Sequence, residues 1–83
     1  MTPEMIRALV AGANAVEDDA IGWAARGDMI DAAIAYGHSA QLWSAAAEAE
    51  TDQALSREYA RAAADCERHT VGCYFGPSQE EAR

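Results

Sequence analysis

Along the first third of the chain, apolar side chains recur at alternating spacings of three and four: Ile6, Leu9, Ala13, Val16, Ala20 and Trp23. That is the two-in-seven stripe of a helix burying one narrow face. Thr2-Pro3-Glu4 opens it with a capping hydroxyl, a proline whose missing N–H costs nothing in the first turn, and an acid at the positive end of the helix dipole. Arg26-Gly27-Asp28 closes it with a cation, a glycine free to turn left-handed, and an aspartate able to cap a second helix. The pattern predicts a first helix over 3–26. Gly12 and Gly22 interrupt it at about 1 kcal/mol each relative to alanine, which marks close approach of a neighbour or a kink.

A second stripe, Met29, Ala33, Tyr36, Ala40, Trp43 and Ala47, predicts a helix over 29–49. Ile30 and Ile34 lie beside it, and Leu42 with Ala46 lies well away from it. A helix apolar over so wide an arc touches two neighbours or an external partner. No glycine or proline separates His38 from Val71, so the next boundary rests on phase alone. Continuing the second stripe would put Arg57, Arg61 and Arg68 in the seam, whereas Leu55, Tyr59, Ala62, Cys66, His69 and Cys73 form a fresh one, rotated by about 80° at 100° per residue. An interruption is therefore expected, with Thr51 and Asp52 as available caps and a third helix over 53–71 ending near Gly72. Gly76-Pro77 stops any helix, and Ser78 to Arg83 is a polar tail in which Ser78 and Glu81 can form a one-turn capping box. The expectation is an all-α, three-helix, up-down-up bundle: a single domain over 1–75 and a short polar C-terminal tail over 76–83.

Composition changes this picture in two ways. Leu, Ile, Val and Phe together number eleven of 83 residues, inside the compositional range of disordered chains (below roughly 20%), yet twenty-one alanines supply strong helix formers in periodic positions. The core is therefore thin and built of small residues, and a homodimer is expected to complete it. Fourteen acids against six bases give a net charge of -8, which excludes direct binding to nucleic acid by phosphate neutralisation and favours a basic partner. Every base is arginine, which with the alanine excess suggests a GC-rich bacterial or phage coding sequence. No apolar run reaches the length of about 20 residues that spans a membrane, and Met1 to Gly12 lacks a signal-peptide pattern, so a soluble, cytoplasmic protein is expected.

The most conspicuous chemistry is Cys66-x2-His69-x3-Cys73, whose spacing aligns two thiols and an imidazole on one helix face. Those residues also continue the apolar stripe, where cysteine acts as a small hydrophobe, so packing without a metal is expected. Within one continuous helix a Cys66–Cys73 disulfide is excluded, because the Cα atoms stand about 10 Å apart against a limit near 7 Å. Asp65 and His69 are expected to form a helix-surface ion pair. Glu17-Asp18-Asp19 and Glu48, Glu50 and Asp52 fit no calcium loop, no Glu-x-x-His pair is present, and no glycine-rich phosphate loop occurs.

Two resemblances bear on function. Gly27-Asp28-Met29, Ala32 and Tyr36 resemble the hinge and second helix of a tetratricopeptide unit, and Leu55, Tyr59, Arg61 and Ala62 are similar to the third helix of microtubule-interacting-and-trafficking domains, which are three-helix bundles. Over residues 23–70 this resemblance implies a helical binding module. Gly37-His38-Ser39-Ala40 is similar to the modification motif of peptidyl and acyl carrier proteins, which implies a phosphopantetheine on Ser39; here Asp28 to Tyr36 reads as helix where those families carry a loop.

Without a convergent catalytic constellation, the expectation is a small, acidic, non-catalytic protein-protein interaction module that needs no cofactor. Leu42 and Trp43 are expected at the centre of the partner surface, with Trp43 alternatively internal, and Glu48, Glu50 and Asp52 steering a basic partner. The rival is an acidic inhibitor that mimics nucleic acid on a basic target surface; a carrier modified at Ser39 stands third.

Overall fold

At the N-terminus the Thr2 hydroxyl accepts the Met5 amide at 3.2 Å, and the chain enters α1 (Pro3–Ala25) with proline in the first turn. The helix ends in a Schellman turn: Arg26 is the C-cap, Gly27 takes φ +81°, the Gly27 amide reaches Ala24 O at 3.0 Å and the Asp28 amide reaches Trp23 O at 2.9 Å. The Asp28 carboxylate then accepts the Asp31 amide at 3.3 Å and starts α2 (Met29–Ala49). Glu50 is extended, and two carboxylates build the next hairpin: Glu50 accepts the Asp52 amide at 3.0 Å and Asp52 accepts the Leu55 amide at 3.1 Å, opening α3 (Gln53–Phe75). These positions come from a computed structural model that describes residues 1–75; the expected polar tail over 76–83 and its capping box lie outside them.

The architecture is an all-α, three-helix, up-down-up bundle, flattened to 44 × 26 × 12 Å. Both outer helices pack along α2 and approach each other only sparsely. Among the described residues there is no strand, and no helix is long and apolar enough to cross a membrane.

Two boundaries differ from expectation. The first helix stops at Ala25, one residue early, because Arg26 serves as its cap. The third runs past Gly72 to Phe75 rather than ending at 71. A glycine inside a helix costs about 1 kcal/mol, but continuing the helix keeps Cys73 half-buried against the core, which offsets that cost.

The core is thin. Ala13, Ala20, Ala32 and Ala46 are fully buried, and Ile6, Tyr36, Trp43 and Cys66 supply most of its bulk. Small side chains let the helix backbones approach, and two hydroxyls exploit that proximity by donating to main-chain carbonyls of the neighbouring helix: Ser39 reaches Ala13 O at 2.8 Å and Ser56 reaches Ala47 O at 2.8 Å. Thr70 Oγ1 lies 3.1 Å from Cys66 O of its own helix and 3.5 Å from Ala33 O of α2. Each satisfies a polar group that burial would otherwise penalise.

Leu42 and Ala46 are corrected by this geometry. Because α2 has a helix on either side, it buries a wider arc than the Met29 to Ala47 stripe. Ala46 is fully buried, and Leu42 is half-buried over Gly12, where a Cβ would stand 3.6 Å from Leu42 Cδ1. Gly12 is thus the place where α1 admits a large side chain of α2.

Candidate functional site

Two grooves run along the slab, on the two sides of α3. The first opens between α1 and α3 with Trp43 of α2 at its base; it encloses about 630 Å³ and is lined by Asn14, Glu17, Asp65, Cys66, Arg68 and His69. Its innermost feature joins all three helices. The Cys66 thiol lies 3.4 Å from Glu17 Oε1 and 3.6 Å from Ser39 Oγ, while Ser39 donates to Ala13 O.

Burial governs the protonation of that thiol. Burial raises the Cys66 pKa above the ordinary thiol value; the Ser39 hydroxyl opposes that shift and Glu17 adds to it. The thiolate is the reactive form, and here it is disfavoured. No imidazole bonds to the thiol: His69 stacks on Tyr36 with ring centroids 4.8 Å apart. The expected Asp65–His69 ion pair is not formed, since Asp65 pairs with Arg68 on the exposed side of the helix. Cys66 and Cys73 are both free thiols, and burial raises the pKa of Cys73 as well. Among the described residues no three His, Cys, Asp or Glu side chains converge to hold a metal ion. Trp43 packs against Tyr59 at 5.7 Å, and its buried indole N–H meets no acceptor among the described residues.

Ser39 is completely buried. Its hydroxyl donates to Ala13 O at 2.8 Å and lies 3.6 Å from the Cys66 thiol, so it faces the core rather than the surface on which a carrier presents its serine. The signal that locates Ser39 in the core is a second stripe on α2, Ala32, Tyr36, Ser39, Trp43 and Ala46, again alternating four and three.

The second groove, about 570 Å³, follows the α2–α3 seam on the other side of α3. Gly37, Ala40, Ser44 and Ala45, with the longer Gln41 and Glu48, form its α2 wall, and Glu67, Thr70 and Val71 its α3 wall. The Thr70 hydroxyl reaches Ala33 O, and a Cβ at Gly37 would meet Thr70 Oγ1 at 3.9 Å, so this stretch of α3 runs beside Ala33 and Gly37. Ile34 and Ile30 lie one and two turns before Gly37 on α2, and Tyr74 lies one turn beyond Val71 on the antiparallel α3. Ile30, Ile34, Val71 and Tyr74 each expose more than half of their surface. The structure therefore gathers an apolar patch beside a shallow groove of small residues.

The residues expected to bind a partner are dispersed. Trp43 is internal, and Leu42 is half-buried against α1. Glu48 is exposed on the second groove. Glu50 and Asp52 stand at the α2–α3 hairpin with their carboxylates engaged in its hydrogen bonds. The Val71 and Tyr74 half of the patch becomes visible only through the register of α3 on α2. No protein-family model, no curated protein and no solved structure matches this chain, so the two grooves are read from their residues alone.

Proposed function

We propose that this chain is a non-catalytic protein-protein interaction module that docks its partner on the α2–α3 face. One observation carries the reading: Ile30, Ile34, Val71 and Tyr74, four large apolar side chains, each expose more than half of their surface in a domain whose core is largely alanine, and the antiparallel register of α3 on α2 sets them along one seam. A chain with so few large aliphatic residues gains nothing in its own stability from leaving them in water, and contiguous exposed apolar surface marks interaction sites. Burial favours the protonated form of the Cys66 thiol, which supports a role without thiolate chemistry.

The test is partner capture from the native host with wild-type protein and with Ile34→Asp, at low salt and at about 1 M salt, where the Debye length falls to ~3 Å. A partner retained by the wild type at both salt concentrations and lost with Ile34→Asp supports the reading; identical capture by the two proteins sinks it.

A second reading, an acidic inhibitor covering a basic nucleic-acid-binding surface of its target, is favoured by the charge distribution. Among the described residues only Glu4 and Asp65 pair with an arginine, leaving most acids open to an external cation. Capture that disappears at high salt and ignores Ile34→Asp selects this reading instead.

A further inference from the structure

We infer that the α2–α3 groove accepts a cationic amphipathic helix, with basic side chains of the occupant set against Glu48 and Glu67 and its aliphatic face set against Ile34, Val71 and Tyr74. The inference rests on the interaction-module reading and names the chemistry of the partner.

The shape of the groove supplies the first argument. Its α2 wall is mostly small, Gly37, Ala40, Ser44 and Ala45, and the two long side chains on it, Gln41 and Glu48, are polar and exposed. Main-chain donors and acceptors of α2 and α3 are satisfied within the helices, so the seam offers no edge to which an extended strand can pair. Recognition here is by side-chain packing, the mode in which a helix lies in an apolar groove. From Gly37 to Glu48 the α2 wall of the groove runs about 16 Å at ~1.5 Å per residue, and Ile30, two turns earlier on the same helix, extends that face to about 27 Å, the length of a five-turn helix.

Charge supplies the second argument and selects the occupant. Along the seam the patch of Ile30, Ile34, Val71 and Tyr74 gives way to two carboxylates that line the groove, Glu67 on α3 and Glu48 towards the far end of α2. Both acids are exposed, and neither pairs with a basic residue among the described residues. A helix with leucine-like residues on one face and lysine or arginine one or two turns along satisfies both halves at once. A second copy of this chain does not, because an isologous contact would oppose like faces of two chains each carrying a net charge of -8. Long-range attraction of a cationic partner by the same net charge accelerates docking.

The experiment titrates the intact protein with three labelled model helices of about 18 residues: a Leu/Lys amphipathic peptide, a Leu/Glu peptide with the same apolar face, and a Ser/Lys peptide with the same charge and no apolar face. Fluorescence anisotropy reads affinity, and backbone amide shifts locate the site. The expected result is binding of the Leu/Lys peptide alone, with shifts confined to residues around Gly37, Ala45, Glu67 and Val71. The double variant Glu48→Gln, Glu67→Gln weakens that binding about tenfold and flattens its salt dependence. The double variant Ile34→Ser, Val71→Ser abolishes it while circular dichroism remains unchanged.

Equal binding of the Ser/Lys peptide, shifts on the α1–α3 side, or an affinity insensitive to both double variants overturns the inference. Binding of the Leu/Glu peptide overturns the cationic occupant and leaves the interaction module standing. A concentration-dependent dimer in sedimentation that Ile34→Ser, Val71→Ser converts to monomer assigns the groove to a second copy and likewise overturns it. Loss of the broader reading shows separately, as capture from the native host that Ile34→Asp does not change.

Discussion

Ser39→Ala tests whether the contact shared by all three helices is energetically used. The substitution removes the 2.8 Å bond to Ala13 O, a neutral hydrogen bond contributing about 1 kcal/mol net. It strands no partner: the Ala13 carbonyl lies inside α1 and keeps its helical amide, and the Cys66 thiol keeps Glu17. Alanine also returns up to about 0.5 kcal/mol of helix propensity over serine. The net loss should therefore be about 0.5–1 kcal/mol, a fall in Tm of roughly 2–8 °C for a domain of this size. Cys66→Ala alone should cost about 1–2 kcal/mol by leaving a small void. Because either substitution breaks the 3.6 Å Cys66–Ser39 contact, the double variant should lose less than the sum of the two, by about 0.5 kcal/mol. Urea denaturation followed by far-UV circular dichroism measures all four corners of the cycle. A Ser39→Ala protein as stable as the wild type, together with additivity within ~0.3 kcal/mol, would refute the view that a polar node ties the helices together.

Three further outcomes are expected from the geometry. Burial chiefly raises the Cys66 pKa above 9.0, so its contribution is fully present below pH 9 and is lost as pH rises through the higher folded value; thermal melts should fall in alkaline buffer, and less steeply in Cys66→Ala. Tyr36, raised above 10.0 mainly by burial, should extend that decline, and a flat profile from pH 8 to 11 would contradict both assignments. Leu42→Asp should cost about 2 kcal/mol or more, because it places a carboxylate over Gly12 of α1; an unchanged melting curve would show that Leu42 does not pack there. Gly27→Ala should cost about 1 kcal/mol at its φ of +81°, read as a lower Tm with unchanged helicity at low temperature.

Local chemistry made the three helices legible in the sequence, since the groups that start and stop them are neighbours along the chain. Thr2-Pro3, Gly27 in its left-handed turn, Asp28 and Asp52 act within three residues of the amides and carbonyls they satisfy. Phase alone placed the break between α2 and α3, because continuing the seam would have buried Arg57, Arg61 and Arg68. Alanine periodicity likewise announced a thin core, and Ala13, Ala20, Ala33 and Ala40 are indeed buried. Periodicity did not determine how much of each helix is covered. That depends on the number of neighbours, and α2, flanked on both sides, takes in Ala46 and half of Leu42 beyond its main stripe. Nor does spacing say which side chain a polar group will meet. Asp65 has His69 and Arg68 equally within reach along the helix; Tyr36 of α2 claims the imidazole, and the arginine takes the carboxylate. Ser39, Cys66 and Glu17 lie far apart in sequence and converge only when α1 and α3 are both seated on α2. The exposed patch has the same origin. Ile30 and Ile34 share one helix and Val71 and Tyr74 another, and it is the antiparallel register of α3 on α2, pinned where Thr70 meets Ala33, that makes them one surface.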